Sequence, residues 1–323
     1  MKLGKSRFEF QLDKIDKLFA EAKVQEDPAQ WLFTHDLRTP AFMLEGLSKM
    51  YAAHHNKPLF KKLNEKFKTL EDILGGIDYY AAFAKEFEAA GRVPAPIIKV
   101  LDAKSKEKIQ LLNEILKKDH WLDGKGVEKI KTVLKKADWL QDKKEISLFK
   151  KFYKKEIEEI QKFVGATNFV FTDVESDIHE LRRKIRWLSI YPQALQGAIQ
   201  LKSNKRATND LKKYLTEKIV TSPYNQLPKP VPGAAIMCLE KNYFLALSWM
   251  ISTLGVIKDD GLRVEALKEA LQQKKKMSDT RALAAAHQLL GEEYPTTQSL
   301  LNHAAMICKD YFSQNYLNGL VID

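Results

Sequence analysis

Apolar residues recur at intervals of three and four along almost the whole chain, and this periodicity restricts the fold to packed helices. Phe8, Leu12, Ile15 and Phe19 form one such series, as do Ile130, Leu134 and Ala137, and then Phe149, Phe152, Ile157 and Ile160. That spacing places an apolar stripe on one side of a helix and leaves the intervening lysines on the other. A single short strand candidate, residues 168–171, stands against it. With 14 Gly and 11 Pro in 323 residues, helix breakers are too few for a turn-rich β fold. The expected class is all-α.

The breakers that do occur set the expected boundaries. A first helix spans 8–24, and Asp27 caps a second that begins at Pro28. Pro40 is expected to kink or divide that second helix. Residues 59–87 read as one or two helices meeting near Gly75-Gly76, and 97–118 as another. After a turn at 123–126, lysine-rich helices run to about 164. Residues 165–173 are the expected junction between halves, and Ser176 or Asp177 can cap the helix that follows. Pro192 is expected to bend or end that helix. A basic turn at 202–206 precedes a helix over 207–220 and a proline-rich loop at 222–233. The strongly apolar 234–254 reads as a buried helix, and three further helices are expected over 262–276, through 284 and 290, and over 296–316.

Within this frame one short pattern occurs twice. His35-Asp36-Leu37-Arg38 and His179-Glu180-Leu181-Arg182 each join a histidine to an arginine three residues on. In a helix that offset sets imidazole and guanidinium side by side. Each copy is followed by a second short match: Leu74-Gly75 with Asp78, then Leu254-Gly255 with Lys258-Asp259. The intervals from histidine to glycine are 40 and 76 residues, and the difference falls largely in the proline-rich insertion. The repetition predicts two tandem, pseudo-symmetric antiparallel helical bundles, 1–165 and 166–323, forming one larger domain.

These paired motifs resemble the CHAD family, the conserved histidine α-helical domain. The run His179-Glu180-Leu181-Arg182-Arg183-Lys184-Ile185-Arg186 is similar to the family's second-half pattern. The first half diverges: where the family continues with basic residues, this chain has Thr39, Pro40, Ala41, Phe42, Met43 and Leu44, so its basic motif is eroded. The resemblance implies binding of inorganic polyphosphate in a basic groove lined by both histidine helices. Arginine forks and lysine ammoniums pair readily with phosphate oxygens, and a partly protonated histidine adds a donor.

The charge balance is compatible with such a ligand. Lys and Arg number 53 against 42 acids, a net charge of +11. Residues 99–155 carry 17 lysines against 9 acids, and 182–218 carry 10 basic residues against 2 acids. Concentrated positive charge speeds association with polyanions of any kind, so nucleic acid and an acidic protein partner meet the same requirement. The candidate polyanion-binding residues are His35, Arg38, His179, Arg182, Arg183 and Arg186, with Lys202, Lys205 and Arg206 in the basic turn.

Two alternatives accompany this reading. One is a scaffold of the same fold that recognises an acidic protein. The other rests on Phe33-Thr34-His35-Asp36-Leu37-Arg38-Thr39-Pro40, which resembles the phospho-accepting box of sensor histidine kinases and implies phosphotransfer at His35. The nucleotide-binding glycine loop that such a kinase needs has no counterpart, since Asp123-Gly124-Lys125-Gly126 has the wrong spacing. No nucleophile motif or metal-ligand spacing emerges, and His54, His55, His120, His287 and His303 read as structural or solvated. Cys238 and Cys308 read as reduced core thiols. A non-enzymatic, cofactor-free, metal-free cytoplasmic protein is expected, with no membrane span, since no apolar run approaches about 18 residues.

Overall fold

In a computed structural model of the chain, which describes residues 1–204 and 208–322, helix accounts for 74% and sheet for two four-residue strands. The fold is all-α. Among the described residues the helices are α1 (Gly4–Ala22), α2 (Pro28–Thr34), α3 (Arg38–His54), α4 (Lys57–Ala90), α5 (Ala95–Lys118), α6 (Lys125–Lys135) and α7 (Asp142–Thr167). They continue with α8 (Glu180–Ala194), α9 (Asn209–Lys212), α10 (Glu217–Val220), α11 (Lys241–Lys274), α12 (Asp279–Leu290) and α13 (Thr297–Ser313).

Contacts divide the chain into two units. The first comprises Gly4–Asp138 with Arg263–Tyr294, and the second Trp139–Leu262 with Met1–Leu3 and Pro295–Asp323. This partition differs from halves meeting at residue 165. Helix α7 packs on α8 and so belongs with the later sequence, while 263–294 return to the earlier one. The repeat-based boundary had no means of seeing that return.

In the first unit α3, α4 and α5 pack in series and α1 closes on α3 and α6. The apolar stripe of α1 is buried through Phe8, Leu12, Ile15 and Phe19. Phe8 meets the Tyr51 ring edge-on at 5.4 Å, and the buried Arg7 donates to the Tyr51 hydroxyl at 2.8 Å. A buried hydroxyl without such a partner would cost about 1–3 kcal/mol. The later segment adds a carboxylate to this unit: Glu269 accepts from the Tyr80 hydroxyl at 3.2 Å and pairs with Lys104.

Several boundaries move relative to the sequence expectation, each for a local reason. Asp27 caps α2 and Pro28 opens it as expected. The break that follows lies upstream of Pro40, at His35–Leu37, where Asp36 takes a left-handed conformation with φ +57°. The Asp36 carboxylate then accepts from both the backbone N–H and the hydroxyl of Thr39. Pro40 thus falls in the first turn of α3, where its missing N–H costs nothing. Gly75 and Gly76 do not interrupt α4, which runs unbroken for 34 residues.

In the second unit the strand candidate at 168–171 is overturned: Asn168 and Phe169 are both left-handed, ending α7. The strands lie elsewhere, β1 at Ile199–Lys202 paired in parallel with β2 at Met237–Glu240. Residues 320–322 extend this small sheet, since the Glu240 N–H donates to the Leu320 carbonyl at 2.8 Å and the Ile322 N–H to Cys238 at 3.1 Å. The strand β2 is hidden in sequence because the apolar run 234–254 has no period to divide strand from helix. The divider is Glu240, whose buried carboxylate accepts from the N–H groups of Asn242 and Tyr243 and so starts α11. Helix α11 continues through Gly255 to Lys274 as one element. The expected helix over 207–220 resolves into α9 and α10, and residue 207 lies outside the described residues.

Candidate functional site

The first tetrad does not form the helical face expected of it. His35 sits at the end of α2, exposed, with its ring stacked on Trp31 at 3.8 Å between centroids and its Nδ1 2.8 Å from the Trp31 carbonyl. Arg38 opens α3 and turns toward α4. Its Nε donates to Glu71 at 2.9 Å and its Nη1 to Asp78 at 2.9 Å. The break at Asp36 therefore separates imidazole from guanidinium, which an unbroken helix would have aligned.

Where Arg38 goes is explained by Gly75. A methyl group on Gly75 would lie 2.8 Å from the Arg38 guanidinium, so the arginine lies flat against a bare stretch of helix backbone. The second tetrad repeats this arrangement. Arg182 lies across Gly255, where a methyl group would stand 3.1 Å from its Nε, and that Nε donates to the Ile251 carbonyl at 3.0 Å. The two short motifs found in sequence are thus the two sides of one contact, made once in each unit.

The surroundings of the two contacts differ. Arg182 is half-buried, and burial draws its pKa below the ordinary arginine value against the opposing charge of Asp259. Arg38 is met by carboxylates, and its helix, α3, carries another acid further along. Glu45 is buried, and its pKa rises to about 7, first through burial and then through the charge of Glu71. Nothing in the sequence singled out Glu45; an acid among the buried positions Ala41, Leu44 and Ser48 was the available signal.

The remaining cations of the 179–186 stripe are largely neutralised within their own helix. His179 Nδ1 lies 2.8 Å from Glu175, whose pKa is held below the usual range first by that hydrogen bond and also by the charge of Lys258. Here the chain forms a π-helical turn, Val174–His179, capped by Asp173 rather than by Ser176 or Asp177. Arg183 pairs with Glu180, and Lys184 reaches the other oxygen of the same carboxylate at 3.2 Å. Arg186 is half-buried and engaged by its neighbours. Lys202 is exposed at the end of β1, and Lys205 and Arg206 lie outside the described residues.

Unpaired positive charge collects elsewhere. The first unit holds 11 lysines between Lys99 and Lys136, and among the described residues three of them form ion pairs: Lys104, Lys125 and Lys131. The other eight include Lys106, Lys117, Lys135 and Lys136 on the solvent faces of α5 and α6. A cavity of about 530 Å³ opens beside them, between the start of α4, the α5–α6 turn and α6. The turn is fixed by the Gly126 N–H donating to the His120 carbonyl at 2.8 Å and by the Asp123 carboxylate accepting from the Lys125 N–H at 3.1 Å.

Among the described residues no group of three or more His, Cys, Asp or Glu side chains is placed to hold a metal ion. Nor is any helix long and apolar enough to cross a membrane. The Cys308 thiol is buried, and burial pushes its pKa up to about 12, so it is protonated near neutrality and a poor nucleophile. No family model, no curated protein and no solved structure matches this chain.

Proposed function

We propose that this protein is a non-catalytic helical module, a divergent relative of the CHAD family, that binds inorganic polyphosphate or a similar phosphate-rich chain. The reading is supported by the eight lysines of 99–136 that make no ion pair among the described residues. They leave α5 and α6 with uncompensated positive charge on solvent faces, which is what a flexible polyanion needs for counterion release. The His–Arg stripe supports it less. Its arginine at 182 lies against Gly255, and His179, Arg183 and Lys184 face Glu175 and Glu180. The ligand-bearing surface is therefore assigned to the lysines rather than to His35, Arg38 and residues 179–186.

The test is fluorescence anisotropy with end-labelled long-chain polyphosphate. Affinity is expected to fall by at least roughly a hundredfold between about 50 and 200 mM salt. The combined change Lys106→Glu, Lys117→Glu, Lys135→Glu and Lys136→Glu should remove binding, while Arg183→Glu should leave it within about twofold. Absence of binding to the native protein at low salt overturns the proposal. An equal loss from both variants returns the site to the stripe.

A further inference from the structure

The cavity of the first unit offers apolar surface that polyphosphate would leave unused. Its floor is apolar: Leu63 and Ile130 are buried, and Leu59 and Val133 are half-buried beside them. Its rim is cationic. Lys62, Lys118 and Lys129 line it without an ion pair among the described residues, whereas Lys66 is held by Asp119 at 2.9 Å and Lys125 by Asp123 at 3.6 Å. At about 530 Å³ the space falls within the range of small-molecule sites.

We infer that this cavity binds a small amphiphilic anion: one carboxylate or phosphate head on an apolar body of roughly ten carbons. Each half of the cavity excludes a simpler ligand. A neutral apolar molecule would fill the floor and leave the three lysine ammoniums unanswered. A bare inorganic anion would meet the ammoniums and leave the apolar floor wet, forgoing its burial. An amphiphilic anion satisfies both, with its head held between flexible ammoniums and its body against α4 and α6. The lysine stems lengthen the apolar wall, since their methylenes pack while the charged ends reach solvent. The inference does not rest on the polyphosphate proposal: Lys118 and Lys129 belong to both, but that proposal is tested on Lys106, Lys117, Lys135 and Lys136, which do not line the cavity.

Decanoate is the probe, with decyltrimethylammonium as the same body carrying the opposite charge and tripolyphosphate as charge without a body. Isothermal titration below the micellar range should show one decanoate site per chain and no site for the cation. Val133→Trp, which fills the cavity, and Lys118→Glu with Lys129→Glu, which reverses its rim, should each weaken decanoate at least roughly tenfold. Long-chain polyphosphate binding should survive Val133→Trp, separating this inference from the other. Should Val133→Trp fail to fold, as judged by circular dichroism, the rim variant decides alone. Equal binding of the cationic amphiphile, or decanoate binding unchanged in the rim variant, overturns the inference.

Discussion

Arg38 and Arg182 make the same contact in different company. Each lies across a glycine in the middle of a long helix, so each uses a bare patch of backbone as a seat. Arg38 is then clamped by the largely covered Glu71 and the exposed Asp78, with Glu45 buried in the same helix as the arginine. Arg182 has no such clamp: a backbone carbonyl receives its Nε, and burial works against its charge. The lesson is that a histidine and arginine pattern on a helix, paired with a Leu-Gly on another, can record how two helices pack before it records what they bind. The glycine contact takes up one side of each guanidinium, and at Arg182 the Nε as well.

The sharpest way to break this contrast is the buried acid of α3, on which the Arg38 partner Glu71 also acts. Glu45 ionises near pH 7 in the folded chain against 4.5 in the unfolded one, so folding retains a proton that unfolding releases between those values. The stabilisation is therefore complete below pH 4.5 and is lost as pH rises toward 7. A shift of this size corresponds to about 3 kcal/mol. Glu45→Gln is expected to raise stability toward urea by up to about 3 kcal/mol at pH 8 and to change little at pH 4. Equal effects at both values would mean that Glu45 is not held neutral.

Next in size comes Arg182→Ala, which should cost about 2 kcal/mol through lost stem packing and the space left above Gly255. That cost should be nearly the same in low and high salt, because little of it is exposed charge. The smallest effect belongs to Arg38→Ala, at about 1 kcal/mol, shrinking as salt is added, since the arginine and one partner, Asp78, face solvent. Parallel urea titrations of the two variants at low and high salt compare them directly. A salt-sensitive Arg182 or a salt-insensitive Arg38 would reverse the contrast.

The helices were legible because periodicity is written residue by residue, and the caps at Asp27 and Pro28 were legible for the same reason. The pairing of His-x-Leu-Arg with Leu-Gly was visible as repetition, but its meaning was not. Sequence spacing places Arg38 beside His35, whereas the left-handed Asp36 and the bare Gly75 send it the other way. The strands were invisible because β2 lies in an aperiodic apolar run and its partner is 38 residues upstream, Ile199 against Met237. The lysine-lined cavity could not be read either. Lys62 and Lys129 are far apart in sequence, and each alone is an ordinary exposed lysine.

Helix α11 passes from the second unit into the first after Leu262, and this sets an order for synthesis. Residues 4–138 leave the ribosome before any of 263–294 exist, yet Tyr80 and Lys104 find their carboxylate in Glu269, and Glu86 its guanidinium in Arg263. The first unit therefore stays incomplete until the middle segment of the second has been made, and the second is closed afterwards by Pro295–Asp323. Until residues 263–294 are made, Tyr80 and Lys104, on α4 and α5, lack the Glu269 carboxylate that they meet in the finished unit.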